Sequence, residues 1–222
     1  MAKENYSTSY LRNNTEGTHI LMHSQSVLIL ASGSEIRKEL LLNAGLSIDV
    51  VKPMVDEEAL KLALQAENAS PRDIADGLAE MKAARIGNKH PNSLVLGCDQ
   101  VLEFEKQILS KPVSKEDAKA QLSKMSGKRH SLISAAVIYH ELQPIWRHVG
   151  QVRLYMRTLS DAYIEQYVER NWSDIAHCVG SYQIEREGAR LFSRIDGDIF
   201  NVMGLPLLEI LNYLTLRGDI DG

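Results

Sequence analysis

The stretch that most constrains the fold is VLILASGSEIRKELLLNAG, Val27 to Gly45. Five apolar or small residues run straight into Ser-Gly-Ser, and a helical pattern follows. Val27–Ala31 reads as a buried strand. Ser32 or Ser34 reads as the cap of a helix that carries Leu40, Leu41 and Ala44 and stops at Gly45. A strand that feeds a helix N-terminus leaves backbone N–H groups and a positive dipole end at the turn. Arg37 and Lys38 in the first turn oppose that dipole, and an anion held at the turn would account for them. Ordinary capping with solvated basic side chains accounts for them equally well at this point. The turn lacks the glycines and the Gly-Lys-Ser/Thr ending of a Walker loop.

The same alternation continues. Ile48–Val51 reads as a strand ended by Pro53, 56–68 as a helix, and SPRDIADGLAEMKAARIG as a helix capped by Ser70 with Pro71 at its first position. Leu94–Gly97 reads as a short buried strand, and Val101–Phe104 with Gln107–Leu109 as a hairpin. Ser114 and Asp117 form a capping-box pattern for a helix to Met125, ended by Gly127. Ser131–Tyr139 reads as a long strand and 150–158 as a half-exposed one. Ser160 caps a helix to about Arg170. Segments 177–184 and 190–195 read as extended, and Pro206 starts a last helix to about Leu216. Strands and helices alternate first and strands crowd the middle, so the fold class is α/β with a mixed sheet. Residues 1–26, rich in Ser, Asn, Thr and Tyr, read as a flexible tail without signal-peptide character. Residues 27–222 read as one domain.

Composition narrows the function classes. A net charge of −4 provides no global basic field for nucleic acid, so any anion site must be local. No apolar run reaches the length of a membrane span. The two cysteines, Cys98 and Cys178, form no disulfide framework or zinc-ligand spacing and read as reduced thiols of a cytoplasmic protein.

Five segments carry side chains suited to chemistry. In LVLGCDQ, Asp99 follows an apolar strand, at the sheet edge where α/β proteins hold ligands. A carboxylate there can hold a hard cation or take a proton from water. In MVDEE, Asp56, Glu57 and Glu58 suit Mg²⁺ or Mn²⁺, and equally the first turn of a helix. Lys82 lies inside LAEMKA, and Lys111 lies in SKP, where Pro112 stiffens the loop. Glu185 lies in an extended segment, where it is a surface charge or an acceptor for paired N–H donors of a base edge.

Taken in order, LILASGSEIRKELL, VDE at 55–57, LAEMKA, GCDQV, SKP, MSGKRH and the run to GDIFNVMGLP resemble the Maf proteins. These are nucleoside triphosphate pyrophosphatases once described as septum-formation inhibitors. The resemblance covers about residues 27–216. It implies a two-lobed Maf/ITPase-like α/β fold, with a central mixed sheet flanked by helices and a cleft between lobes. It implies hydrolysis of a nucleoside triphosphate to the monophosphate and pyrophosphate with a divalent cation, Mg²⁺ or Mn²⁺. It also implies a homodimer, and neither nucleic acid nor membrane as partner. Asp99 matches the proton acceptor; Ser32, Arg37, Lys82 and Lys111 match phosphate-handling positions; Asp56 matches an acidic position near the metal, which Asp56 and Asp99 would share. Gln100 and Glu185 resemble the branch that hydrolyses 7-methyl-GTP, where the dTTP/UTP branch has Thr and Gln. The family's SPRR or SPWR reads SEIR here, so Glu35 replaces Pro and Ile36 replaces the base-facing Arg or Trp. Ile36 packs but offers no π-face to a cationic base. A dTTP/UTP-type or broad pyrophosphatase, and a nucleotide-binding regulator of cell division with little turnover, are the alternatives.

Overall fold

The computed structural model describes residues 28–221. The tail expected over 1–26, and Val27 at the start of the first strand, lie outside them. Seven strands form one mixed sheet in the order β2-β1-β3-β5-β6-β7, with β4 paired to β3. The strands are β1 (Leu28–Ala31), β2 (Ile48–Val50), β3 (Val95–Phe104), β4 (Gln107–Leu109), β5 (Arg129–His140), β6 (Gln143–Met156) and β7 (Phe192–Asp196). The helices are α1 (Glu35–Asn43), α2 (Glu57–Ala66), α3 (Pro71–Gly87), α4 (Lys115–Met125), α5 (Asp161–Ile175), α6 (Ile199–Val202) and α7 (Leu207–Arg217). β1 pairs in parallel with both β2 and β3, and every other pairing is antiparallel. The mixed sheet follows from the connections. α1 and the α2–α3 pair are long crossovers that return the chain in parallel, whereas two-residue turns join β3 to β4 and β5 to β6.

Three apolar clusters divide the molecule. One face of the first lobe packs α3, through Ile74, Leu78 and Ile86, on Ile29, Val95 and Val137. The opposite face packs α1 and α7, through Leu41, Ile210 and Leu214, on Leu30, Leu96 and Ile138. The far ends of the long strands, through Leu102, Leu132 and Leu154, carry α4 and α5 in the second lobe. β3, β5 and β6 therefore run from one lobe into the other, which gives the expected two-lobed architecture on a single sheet.

Several expectations are corrected. β3 does not stop at Gly97: β5 pairs with it from Val95 to Glu103, so the ladder continues where β1 ends at Ala31. Gly97 serves close packing instead, because a Cβ there would lie 2.2 Å from the Ala79 carbonyl oxygen and 2.6 Å from the Ala83 nitrogen. β6 begins at Gln143 rather than 150, after a two-residue turn in which Glu141 and Leu142 both have positive φ. α5 reaches Ile175 because Ile164, Tyr167, Val168 and Ile175 keep the helical spacing of its buried face. Segment 177–184 is not a strand. Gly180 and Ser181 both adopt left-handed φ (81° and 61°), and a 3₁₀ turn over Glu187–Leu191 leads into β7. The box at Ser114 is half made: Ser114 Oγ accepts the Asp117 N–H, while the Asp117 carboxylate takes the N–H of Val113.

His130 is buried in the second lobe against Tyr182 and Phe192, with Nε2 2.8 Å from the Tyr182 hydroxyl and Nδ1 unpartnered. Burial pulls its pKa down from 6.5 to about 4. The folded state therefore favours the neutral ring. The stability it contributes is complete above pH 6.5 and is lost as the pH falls from there to about 4. At about 1.4 kcal/mol per pKa unit the loss amounts to about 3 kcal/mol. Urea melts across this window should show that decline, and His130→Phe should flatten it; an unchanged slope in the variant would assign the acid limb to other groups.

The Gly97 contact makes a second prediction. Gly97→Ala should destabilise the protein by about 1–3 kcal/mol, seen as a lower urea midpoint at constant slope. A variant as stable as the wild type would mean that α3 can back away from β3.

Candidate active site

α3 lies on β3 at the Gly97 contact, and this sets the floor of the cleft. Ala79 and Ala83 face the glycine, so the neighbouring Lys82 is pressed into the sheet two residues along from it, at Asp99. Lys82 Nζ lies 2.6 Å from Asp99 Oδ1 and 3.0 Å from Glu57 Oε2. The Lys82 and Asp99 side chains are only 7% and 10% exposed. One ammonium thus bridges two carboxylates, and Asp99 Oδ2 has no protein donor among the described residues.

Around this floor opens a cleft of about 970 Å³. One wall is the turn after β1 and the start of α1, from Gly33 to Arg37; α2 adds Glu57, Glu58 and Lys61. The facing wall is the end of α5 and the loop after it, with Ser173, Asp174, His177, Cys178, Gln183 and Glu185. Lys111 comes from the loop after β4, and Gln100 from β3. Lys61 Nζ reaches across to Ser110 Oγ at 2.6 Å.

The expected site residues fall into two groups. Asp99, Gln100, Arg37, Ile36, Lys111 and Glu185 all line the cleft. Ser32 and Lys82 are buried behind it. Ser32 Oγ accepts the Ser34 N–H at 3.1 Å, so the first turn is tied down by Ser32, while Ser34 caps α1 without a side-chain bond. Asp56 is the cap of α2, and its Oδ1 accepts the Ala59 N–H at 3.0 Å. The carboxylate of the acidic run that reaches the Lys82–Asp99 pair is Glu57, not Asp56. Glu185 sits in an exposed turn rather than in a strand. Glu35 is turned out to solvent, 3.1 Å from Lys38.

Arg37 is held by backbone. Its Nε donates to the Gly204 carbonyl at 2.8 Å and its Nη1 to the Cys98 carbonyl at 2.9 Å. The Gln100 amide is held similarly: Nε2 donates to the carbonyls of Asn201 (2.8 Å) and Val202 (3.1 Å) and lies 3.0 Å from Ser134 Oγ. A carbonyl only accepts, so the nitrogen must face α6 and the Gln100 oxygen is the end left over. The two cysteines are unpaired, and burial pushes the Cys98 thiol up to about 11.

No three His, Cys, Asp or Glu among the described residues converge as a ready-made metal cage. Asp99 and Glu57 do fit a Mg²⁺ that arrives on a triphosphate, since that ion keeps several waters and takes only one or two protein carboxylates. No helix among the described residues is long and apolar enough to cross a membrane.

The chain is similar to known proteins over most of its length. A family model described as "Maf-like protein" matches residues 27–216. A protein of Ruegeria pomeroyi named nucleoside triphosphate pyrophosphatase is 64% identical over 87% of this chain and 98% of its own length. One of Ruegeria sp. with the same name is 60% identical over 87% and 98%. A 7-methyl-GTP pyrophosphatase of Mesorhizobium japonicum is 44% identical over 88% and 98%.

The buried pair can be tested for stability and turnover separately. Lys82→Met leaves a buried carboxylate facing Glu57 and should cost about 3–5 kcal/mol in a urea melt. Adding Asp99→Leu should restore most of that stability while pyrophosphate release stays absent. A double variant that regains turnover would remove Asp99 from the chemistry.

Proposed function

This chain belongs to the Maf-like protein family, and on that premise we propose that it is a nucleoside triphosphate pyrophosphatase with a preference for guanine methylated at N7. It is an enzyme, a hydrolase of phosphoanhydride bonds. Cleavage between the α- and β-phosphates requires a water aimed at the α-phosphorus and neutralisation of the charge that develops on pyrophosphate. Asp99 is the proton acceptor for that water, and Lys82 fixes the carboxylate by holding Oδ1. Arg37 and Lys111, which both line the cleft, bind phosphate oxygens. Asp99 and Glu57 would hold a Mg²⁺ or Mn²⁺ carried by the substrate, and that ion would supply further neutralisation of the phosphates.

The preference for guanine over uracil and thymine rests on one observation, the orientation of the Gln100 amide; methylation at N7 rests on the name of the Mesorhizobium relative. With Nε2 committed to two carbonyls, Gln100 offers the cleft an acceptor. Glu185, exposed on the facing wall, offers another. Guanine presents adjacent N1–H and N2–H donors on its pairing edge. Uracil and thymine present one N–H flanked by two carbonyls, which a pair of acceptors repels. The name of the Mesorhizobium relative is in keeping with this reading.

A nucleotide panel tests it. With Mg²⁺ or Mn²⁺, kcat/KM for 7-methyl-GTP should exceed that for dTTP and UTP by at least about tenfold, the worth of one well-placed hydrogen bond. Glu185→Gln should narrow the gap. Equal or better dTTP turnover by the wild type would refute the preference, and no pyrophosphate release from any nucleotide would refute the activity.

A further inference from the structure

The segment from Asn201 to Gly204 runs along the cleft and offers side chains almost nothing but backbone oxygen. The Asn201 carbonyl takes Gln100 Nε2 and Ser134 Oγ, the Val202 carbonyl takes Gln100 Nε2, and the Gly204 carbonyl takes Arg37 Nε. The segment is itself pinned by Asp198, whose carboxylate accepts the backbone N–H groups of Phe200 and Asn201 and the Asn201 side-chain amide.

Arg37 shows what such a strap achieves. A guanidinium is a rigid plane of five N–H donors, so bonds from two of its nitrogens to two separate segments fix where the third points. Nε is tied to Gly204 and Nη1 to Cys98, and Nη2 has no acceptor among the described residues. Carbonyl oxygens orient the cation without cancelling its charge. Lys82, by contrast, is matched by two carboxylates. Arg37 therefore enters the cleft as a fixed cation with its charge available.

Position 204 also favours glycine. Its φ is +89°, and a Cβ added there would lie 3.2 Å from Arg37 Nη2 and 3.3 Å from Nε. The group that would have to yield is the guanidinium. Gly218 provides an internal control: its φ is +83°, but an added Cβ would meet nothing within 4 Å. The two glycines share the backbone strain of an L-residue in the left-handed region, and only one of them touches the arginine.

We propose that Gly204 is a positioning residue that aims Arg37 at the substrate's phosphates, its carbonyl holding the guanidinium and its missing side chain leaving the plane room. The phosphate as ligand rests on the pyrophosphatase reading above, so inorganic tripolyphosphate is the probe, followed by calorimetry in parallel with nucleotide turnover. Gly204→Ala should weaken tripolyphosphate at least about tenfold, the scale of one charge-assisted hydrogen bond, and Gly218→Ala should change it less than about twofold. In an Arg37→Lys background, Gly204→Ala should add less than about twofold, because two changes that act through one contact are not additive. Gly204→Ala that binds like the wild type, or that keeps its full effect in the Arg37→Lys protein, overturns the proposal. Should Gly204→Ala not fold, the Arg37 Nε–H resonance of the wild type decides: slow solvent exchange is expected, and fast exchange overturns it. A wild type that binds tripolyphosphate but releases no pyrophosphate from any nucleotide sinks the hydrolase reading and leaves the positioning role standing. A wild type that does not bind tripolyphosphate overturns both.

Discussion

The cleft depends on how closely α3 can approach β3. Gly97 allows the helix backbone to lie where any Cβ would collide with Ala79 and Ala83. That contact carries Lys82 into the sheet beside Asp99 and makes a buried pair at 2.6 Å. Such pairs cost desolvation and add little net stability, so packing does not explain this one. Its effect is to hold one carboxylate oxygen still while the other stays open to the cleft. Stability and chemistry meet at one glycine that looks, in the sequence, like the end of a strand.

The three cations of the cleft differ in what holds them. Lys82 is matched by two carboxylates and orients Asp99. Arg37 is gripped by two carbonyls and keeps its charge. Lys111 is exposed and has no fixed partner among the described residues. In the proposed function Lys82 would align the acceptor, while Arg37 and Lys111 would meet the phosphates.

Much of the fold was legible. Helix starts at Ser70, Ser114 and Ser160 and the mixed sheet followed from caps and periodicity. The departures have physical causes. β3 runs on past Gly97 because β5, far away in sequence, supplies the ladder. The start of β6 is hidden because Glu141 and Leu142 take a left-handed turn that local preference assigns to Gly or Asn. The apolar run 177–184 resembles a strand, yet Gly180 and Ser181 bend it into a cleft wall. In the candidate site, Asp99 and Lys82 were found by chain order. Which carboxylate of the Asp56–Glu57 pair joins them depends on helix phase: the residue at the cap turns back on its own helix, and the next one faces Lys82. The run GDIFNVMGLP marked the stretch that contains 201–204 but not how it holds Gln100 and Arg37, because the accepting atoms are backbone oxygens that no residue type reveals.

Glu35 and Ile36 depart from the family pattern, and both lie along the cleft. Glu35 points to solvent and pairs with Lys38, a carboxylate in the first turn of α1 where the dipole favours one. Ile36 lines the cleft with an aliphatic surface where the family has Arg or Trp. A base above it gains burial but neither stacking nor a cation–π contact. In the proposed function recognition would then come from the edge of the base, read by the Gln100 oxygen, which the strap holds in place, and the Glu185 carboxylate. Two acceptors select by what they repel as much as by what they bind, because a base that turns a carbonyl toward them leaves that oxygen and theirs unpaired. With Ile36 at this position, the proposed discrimination would rest on the hydrogen-bonding edge of the base rather than on its face. The Asn201–Gly204 backbone holds both the Gln100 amide and the Arg37 guanidinium, so under the proposed function a single run of backbone would align the base end and the phosphate end of the cleft.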